Sequence, residues 1–294
     1  MKKILITGAS GFIGSHLVKK LKKNNDIFVL NKSDHKQETG CRSLIHDFAD
    51  DLPLLEFPNS IETIVHLAST RNYNTKDSEK EIFNVNVTST MKLIEEGYFK
   101  NVKHFIYIST GGVYPLSNSI IDEKHRLIDL KDTNNKPINF YFKTKLMAES
   151  IVTSYASKMS TTIIRPFFPF GKNQNSFFLI PRIICKIKQQ KKVLINSYND
   201  FKFNPIYVHD LVEVIETIIN KKIIGLFNVC GDQSITIKEL VDTTENFLKI
   251  KPKIEYFKEN KINKLIGCNQ KIKKITGIKF QNFYKIYPEY LKTL

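Results

Sequence analysis

Tyr141 and Lys145 stand four residues apart in Phe140-Tyr141-Phe142-Lys143-Thr144-Lys145, a stretch patterned as a helix, so their side chains share a face. A free phenol, with a pKa of about 10, exchanges protons poorly at neutrality. An ammonium one turn away favours the phenolate and lowers that value. Such a tyrosine can pass a proton to or from a substrate hydroxyl or ketone while a nicotinamide passes a hydride. Taken alone, the same spacing also fits a pair on a helix surface. A second hydroxyl source is Ser109-Thr110-Gly111-Gly112, where a buried apolar run ends in a glycine turn. A hydroxyl there can hold the same substrate oxygen; for Ser109, satisfying the turn backbone is the alternative.

A third constellation opens the chain. Ile4-Leu5-Ile6-Thr7-Gly8-Ala9-Ser10-Gly11-Phe12-Ile13-Gly14 is an apolar run that breaks into glycines at three-residue spacing and continues as an amphipathic helix pattern. A parallel strand feeding a helix in this way holds a dinucleotide pyrophosphate at the helix N-terminus. Glycine there permits the tight turn, close backbone approach to phosphate and close strand–helix packing. A plain glycine turn is the alternative. Met1-Lys2-Lys3 is too short, and Gly8 too early, for a signal peptide.

The elements that position these groups alternate. Strands are expected at 3–7, 27–30, 43–46, 63–67, 104–109 and 161–165, with helices at 11–22, 79–98 and 140–158. This predicts an α/β fold, a doubly wound parallel sheet of the Rossmann type, with its ligand crevice at the carboxyl ends of the strands. Thr7, Asn31, Ala68 and Thr110 fall at such ends. After Arg165, the two prolines of Pro166-Phe167-Phe168-Pro169-Phe170-Gly171 interrupt regular structure. A basic helix at 177–190, a strand at 193–196, a helix from near His209, a strand at 226–229 and a helix at 236–248 follow. The expected organisation is a dinucleotide domain over 1–165 and a smaller, interleaved substrate lobe over 166–294, with segments around 203–232 returning to the main domain.

Composition limits the alternatives. The chain has 294 residues, 41% hydrophobic, and no apolar run long enough to span a bilayer. Cys41, Cys185, Cys230 and Cys268 lie far apart and form no metal-ligand pair, which reads as reduced thiols in a cytoplasmic protein without a metal site. The net charge is +16, yet the only arginines are Arg42, Arg71, Arg126, Arg165 and Arg182. Lysine spread along the chain argues against a nucleic-acid surface and fits solvated faces, or a positive potential that attracts anionic nucleotides.

Together the motifs resemble the extended short-chain dehydrogenase/reductase family, in its branch of nucleotide-sugar epimerases, dehydratases and reductases. The resemblance runs from the glycine turn to about Leu248. It takes in Val65-His66-Leu67-Ala68, Asn84-Val85-Asn86-Val87-Thr88, Thr110 with Tyr141 and Lys145, Arg165-Pro166 with Gly171, Tyr207-Val208-His209-Asp210-Leu211 and Phe227-Asn228-Val229. It implies that Gly8, Gly11 and Gly14 hold the pyrophosphate, that Asp47 contacts the adenine, and that Ser10, Phe12, Ile13 and Phe48 also belong to the cofactor site. Leu67, Ala68, Ser69, Asn86 and Pro166 are implied to line the rest of the cofactor site. Asn86 equally fits a buried residue satisfying backbone. Thr110 is implied to orient the substrate oxygen, Tyr141 to be the acid/base, and Lys145 to bind the nicotinamide ribose. A homodimer through the helices at 79–98 and 140–158 is implied as well.

Departures from the family pattern narrow the reaction. Similar dehydratases carry Asp and Glu after the threonine, and related decarboxylases also use a carboxylate there. Gly111 and Gly112 offer no side chain to move a proton. A cysteine in this turn marks the branch that epimerises twice and then reduces, and Gly112 occupies that place. What remains is hydride transfer at one carbon: a 4-ketoreductase of a nucleotide-linked 4-keto-6-deoxyhexose, serving deoxysugar or surface-polysaccharide synthesis, or a 4-epimerase with tightly held NAD. A reductase of small carbonyl compounds and a non-catalytic cofactor sensor are further readings. At the end of the second strand Asn31 replaces the acid that receives ribose hydroxyls, and Lys32 and Ser33 can bind a 2′-phosphate, which favours NADP over NAD. On the substrate side, with Gly111 and Gly112 beside Thr110, Phe168 stands where the family has asparagine. Arg182 is a substitute diphosphate ligand by residue type only.

Overall fold

The computed structural model describes residues 1–32, 41–49, 57–70, 78–129 and 137–294. Its first elements are β1 (Lys3–Thr7), α1 (Phe12–Leu21), β2 (Asp26–Asn31), β3 (Cys41–Ile45) and β4 (Thr63–His66). Next come α2 (Ser78–Phe83), α3 (Ser89–Phe99), β5 (His104–Ile108), α4 (Pro137–Ser154) and β6 (Ser160–Pro166). The chain continues through α5 (Leu179–Lys188), β7 (Val193–Asn196), β8 (Lys202–Phe203), α6 (Val208–Lys221), β9 (Gly225–Val229) and β10 (Ile235–Thr236). It ends with α7 (Ile237–Leu248), β11 (Ile254–Phe257), β12 (Lys264–Leu265), α8 (Gln270–Thr276) and α9 (Phe283–Leu291).

Seven strands form one sheet in the order β3-β2-β1-β4-β5-β6-β9, and the pairings from β3 through β6 are all parallel. β4 and β5 are buried throughout, as a parallel sheet covered on both faces requires. Strand order reverses between β1 and β4, so the carboxyl ends of these two strands, Thr7 and His66, flank the switch point where such sheets bind ligands. The Rossmann-type α/β expectation holds.

Two compact units emerge. The first comprises Met1–Val113, Ile128–Arg165 and Val212–Phe227. Its core joins Leu5, Phe28, Leu30, Phe105, Tyr107, Val152 and Ile163 across the sheet. The second comprises Tyr114–Leu127, Pro166–Leu211 and Asn228–Leu294, so 114–127 belongs to it although the sequence pattern grouped that stretch with the first. Its core joins α5, α7 and α9 through Ile183, Ile187, Leu240, Tyr287 and Tyr290. Two small sheets, β10-β8-β12 and β11-β7, complete this unit.

Two expected helices differ. The helix expected at 79–98 is interrupted between α2 and α3 by a π-helical turn, Asn84–Thr88. Ser89 Oγ and Thr90 Oγ1 donate back to the carbonyls of Val85 and Asn86 at 2.6 and 2.8 Å, and such bonds compete with the regular ladder. The helix expected at 140–158 ends at Ser154, beyond which Tyr155, Ala156 and Lys158 donate to carbonyls three residues back. Among the described residues, no helix is long and apolar enough to cross a membrane.

Candidate active site

The glycine turn is built for close approach. Gly8 takes φ +67°, and Gly11 N–H closes on Gly8 O at 3.0 Å. A Cβ at Gly14 would lie 2.1 Å from Gly8 O, and one at Gly8 would lie 2.7 Å from Ala68 N, so neither position tolerates a side chain. Gly11 is the N-cap of α1 and supplies no side-chain cap, and no acid occupies the first turn. The helix N-terminus thus offers backbone N–H groups and a positive dipole end to an anion. Ser10 and Gly11 are exposed here, Gly14 is buried, and Phe12 and Ile13 are half-buried.

At the end of β2, Asn31 is buried, and its Oδ1 has no hydrogen-bond partner among the described residues. A ribose hydroxyl is the donor such an orphaned acceptor suits. Lys32 Nζ lies 2.9 Å from Asp47 Oδ2, while Asp47 Oδ1 accepts from Ala49 N–H at 2.9 Å. Burial pushes the Asp47 carboxyl up, but the Ala49 amide, Lys32 and His46 outweigh it and hold it below its ordinary value. Phe48 is buried, edge-on to His46 and His66. Ser33 lies outside the described residues. The cradle, the helix N-terminus and the bare acceptor together fit a dinucleotide.

His66, at the end of β4, carries no role in the sequence reading, yet it organises this corner. Ala68 N–H donates to Thr7 Oγ1 at 3.1 Å, and Thr7 Oγ1 meets His66 Nδ1 at 2.6 Å. On the other side His66 Nε2 meets Thr90 Oγ1 at 3.0 Å, and Thr90 Oγ1 donates to Asn86 O. Because the Thr90 hydrogen goes to a carbonyl, Thr90 must accept from Nε2–H, which leaves Nδ1 bare to accept from Thr7. The donors and acceptors therefore select one neutral tautomer. Burial, reinforced by Lys145, pushes the His66 pKa down to about 3.

Asn86 sits in the π-helical turn. Its Oδ1 accepts from Thr70 N–H at 2.9 Å, and its Nδ2 donates to Thr70 O and Thr144 Oγ1, each at 3.0 Å. Thr144 in turn donates to Tyr141 O at 2.7 Å. Asn86 is thus the buried residue that satisfies backbone, tying the segment after β4 to α4. Leu67 and Ala68 are half-buried in that segment and Ser69 is exposed.

Thr110 follows β5, and its Oγ1 accepts from Gly112 N–H at 3.1 Å, so the hydroxyl hydrogen remains available to donate. This reverses the expectation that Ser109 serves the turn: Ser109 Oγ is buried without a partner among the described residues. Gly111 and Gly112 lie in a short 3-10 turn, Gly111–Val113. A Cβ at Gly112 would fall 2.1 Å from Phe142 Cε1, because the Phe142 ring lies over that glycine.

Tyr141 and Lys145 occupy successive turns of α4, with Tyr141 half-buried and Lys145 buried. Lys145 Nζ donates to Ile108 O at 2.7 Å and lies 4.3 Å from the Tyr107 ring centroid. Burial pushes its pKa down to about 7, against the opposing effect of Glu149. One turn on, Glu149 takes a two-pronged ion pair from Arg165, with Nε–Oε1 2.9 Å and Nη2–Oε2 2.5 Å, both residues buried. The types of these two residues alone carry no signal of this pairing.

The remaining candidates fall in the second unit. Pro166 ends β6 and is buried. Phe168, at φ +43°, packs its ring on Phe201 and Phe203 at centroid distances of 5.7 and 4.8 Å, so it serves that unit's aromatic core. Phe177 is exposed, unlike the buried Phe167 and Phe170. Arg182 is exposed on α5.

A family model described as the NAD dependent epimerase/dehydratase family matches residues 4–230. The chain belongs to that family. Among its relatives, a dTDP-D-glucose 4,6-dehydratase of Dictyostelium discoideum is 31% identical over 260 residues, covering 80% of this chain but only 60% of that protein's length. A GDP-6-deoxy-D-talose 4-dehydrogenase of Aggregatibacter actinomycetemcomitans is 25% identical over 291 residues, covering 94% of this chain and 91% of the relative. Among solved structures of the fold, a UDP-N-acetylglucosamine 4-epimerase from Methanobrevibacter ruminantium M1 aligns over 99% of this chain and 96% of its own, at TM-score 0.82 and 20% identity. A UDP-glucuronic acid 4-epimerase from Bacillus cereus, in complex with its UDP-sugar and NAD, aligns over 98% and 97% at TM-score 0.81, also at 20% identity.

Proposed function

We infer that the protein is an NAD(P)-dependent nucleotide-sugar oxidoreductase that reduces the 4-keto group of a 6-deoxyhexose nucleotide. The observation that carries this is the turn beside Thr110. Gly111 and Gly112 bring no ionisable group, and the Phe142 ring covers Gly112. Elimination of water needs a second proton-transfer group near the carbonyl, whereas reduction needs one acid and one oriented oxygen. The relative that acts as a 4-dehydrogenase on a 6-deoxyhexose nucleotide, matched over nearly its whole length, supports the reading.

A bound nicotinamide supplies the hydride. The chain's own residues do the rest. Thr110 donates its hydroxyl hydrogen to the substrate C4 oxygen while the Gly112 amide fixes its position. Tyr141 delivers the proton to that oxygen. The Lys145 ammonium, anchored on Ile108 O, stands ready for a ribose hydroxyl. Gly8, Gly11 and Gly14 hold the pyrophosphate, and Asn31 and Asp47 hold the adenosine end. NADP is the cofactor this reading favours, because β2 ends in Asn31, where a carboxylate would repel a 2′-phosphate, and Lys32 follows it as a cation that can bind one. Lys32 is exposed where it pairs with the half-buried Asp47, so its ammonium can be shared with a phosphate. The second unit is read as the substrate lobe, with exposed Arg182 as its diphosphate candidate. Exposed Phe83, Met91, Tyr98 and Phe99 on α2 and α3 support a homodimer.

A 4-epimerase is the second reading, favoured by the bare Asn31 acceptor, which suits the ribose hydroxyl of NAD. The test is nicotinamide absorbance with NADPH or NADH and a panel of GDP-, CDP-, UDP- and dTDP-linked 4-keto-6-deoxyhexoses. Stoichiometric loss with one of them, abolished by Tyr141→Phe with cofactor binding retained, establishes the reductase. No loss with any, but interconversion of the 4-hydroxy sugars, establishes the epimerase.

A further inference from the structure

The residue after Tyr141 draws attention by its size. A Cβ at Gly112 would lie 2.1, 2.4 and 2.8 Å from Phe142 Cε1, Cζ and Cδ1, so the ring occupies the space into which any side chain at 112 would project. Gly112 N–H in turn holds Thr110 Oγ1 at 3.1 Å. The ring, the glycine and the threonine hydroxyl therefore form one short series of contacts on the first unit. The Phe142 ring is not consumed by the core: it is half-exposed, tilted against Tyr141 at a centroid distance of 5.6 Å.

Substituents on the carbons flanking a carbonyl lie within a few ångströms of its oxygen. If Thr110 and Tyr141 hold that oxygen, the Phe142 ring fills the space beside it into which a side chain at Gly112, two residues past Thr110, would project. Aromatic carbon accepts a methyl group there, whereas a hydroxymethyl or carboxylate loses water without gaining a partner.

We propose that Phe142, seated on Gly112 beside Thr110, is a specificity-determining residue that selects a methyl-bearing deoxysugar over the matching sugar with a hydroxymethyl or carboxylate group. The inference rests on the proposed roles of Thr110 and Tyr141. Glycine at 112 is then a requirement of the ring's seat, and Gly112 and Phe142 act as a pair.

The experiment follows the oxidative direction, with cofactor reduction recorded for nucleotide-linked 6-deoxyhexoses and their parent hexoses, and sugar-nucleotide affinity measured by calorimetry. The wild-type protein is expected to prefer the deoxysugar in kcat/KM by roughly 10–100-fold, the range an apolar contact can enforce. Phe142→Ala should shrink that preference to within about threefold by raising KM for the deoxysugar, with cofactor affinity unchanged, and Phe142→Leu should retain most of it. Should Phe142→Ala not fold, Phe142→Tyr, which keeps the ring and adds a hydroxyl, should narrow the preference instead. Wild-type turnover without a deoxysugar preference, or a preference untouched by these variants, overturns the proposal and leaves the proposed reaction standing. Wild-type protein that neither binds nor turns over any sugar nucleotide overturns both.

Discussion

Thr7 Oγ1 and His66 Nδ1 meet at 2.6 Å across the carboxyl ends of β1 and β4, directly before the glycine turn. The contact is one link in a chain that runs from Ala68 N–H through Thr7, His66 and Thr90 to Asn86 O. Asn86 then grips Thr70 and Thr144, and Thr144 grips Tyr141 O. The strand end before the glycine turn and the helix of Tyr141 and Lys145 thus share one set of hydrogen bonds. Each member is held because a buried polar group left alone is costly.

His66→Phe should lower unfolding stability by about 2–4 kcal/mol, since it leaves the buried Thr7 hydroxyl hydrogen without its acceptor and Thr90 Oγ1 without the N–H it accepts from. Denaturant titration measures the loss. A drop below about 0.5 kcal/mol would show that the chain is slack.

Acid should destabilise the protein well before its carboxylates titrate. His66 and His104 have pKa values of about 3 and about 4 in the fold against 6.5 unperturbed, for both chiefly because of burial. Because the folded values are depressed, the unfolded chain binds more protons as pH falls through about 6.5, and stability drops toward the folded values by up to about 1.4 kcal/mol per pH unit for each histidine. His104 Nε2 meets Thr162 Oγ1 at 2.7 Å, and its buried Nδ1 has no partner among the described residues to receive a proton's charge. Urea midpoints between pH 7 and pH 4.5 measure this, and His104→Gln should remove close to one proton from the slope. An unchanged slope in that variant would refute the assignment.

Glu149→Gln should cost about 3–5 kcal/mol, because it leaves the Arg165 guanidinium buried without its carboxylate. Pairing Glu149→Leu with Arg165→Met should cost less than the sum of the two single changes. Additive losses in that cycle would mean that the two side chains do not interact.

Asn31→Asp should shift cofactor preference from NADP toward NAD by about tenfold or more, through repulsion of the 2′-phosphate and acceptance of ribose hydroxyls. Lys32→Ala should weaken NADP alone. Fluorescence titration with both reduced cofactors distinguishes the two, and equal effects on both would remove Lys32 from the phosphate site.

Much of the first unit was legible from residue order. Strands such as Lys3–Thr7 and His104–Ile108 are apolar runs between polar stretches, and the glycines after β1 have conformational needs that sequence states directly. Local rules reach that far because the hydrophobic pattern and the turn chemistry act over a few residues. The three-stranded sheet of the second unit escaped them: β8, β10 and β12 are each two residues long and carry no period to detect. The same holds for every pairing across the fold. That Asn86 would grip Thr70 and Thr144, that Arg165 would meet Glu149, that Lys32 would rest on Asp47 and that Phe142 would cover Gly112 depends on which strand lies beside which helix. Residue types alone named Thr110, Tyr141 and Lys145 as candidates. Only the tertiary structure decided which neighbours orient them, because burial and hydrogen-bond partnership belong to residues far apart in the chain that the packed sheet brings within contact.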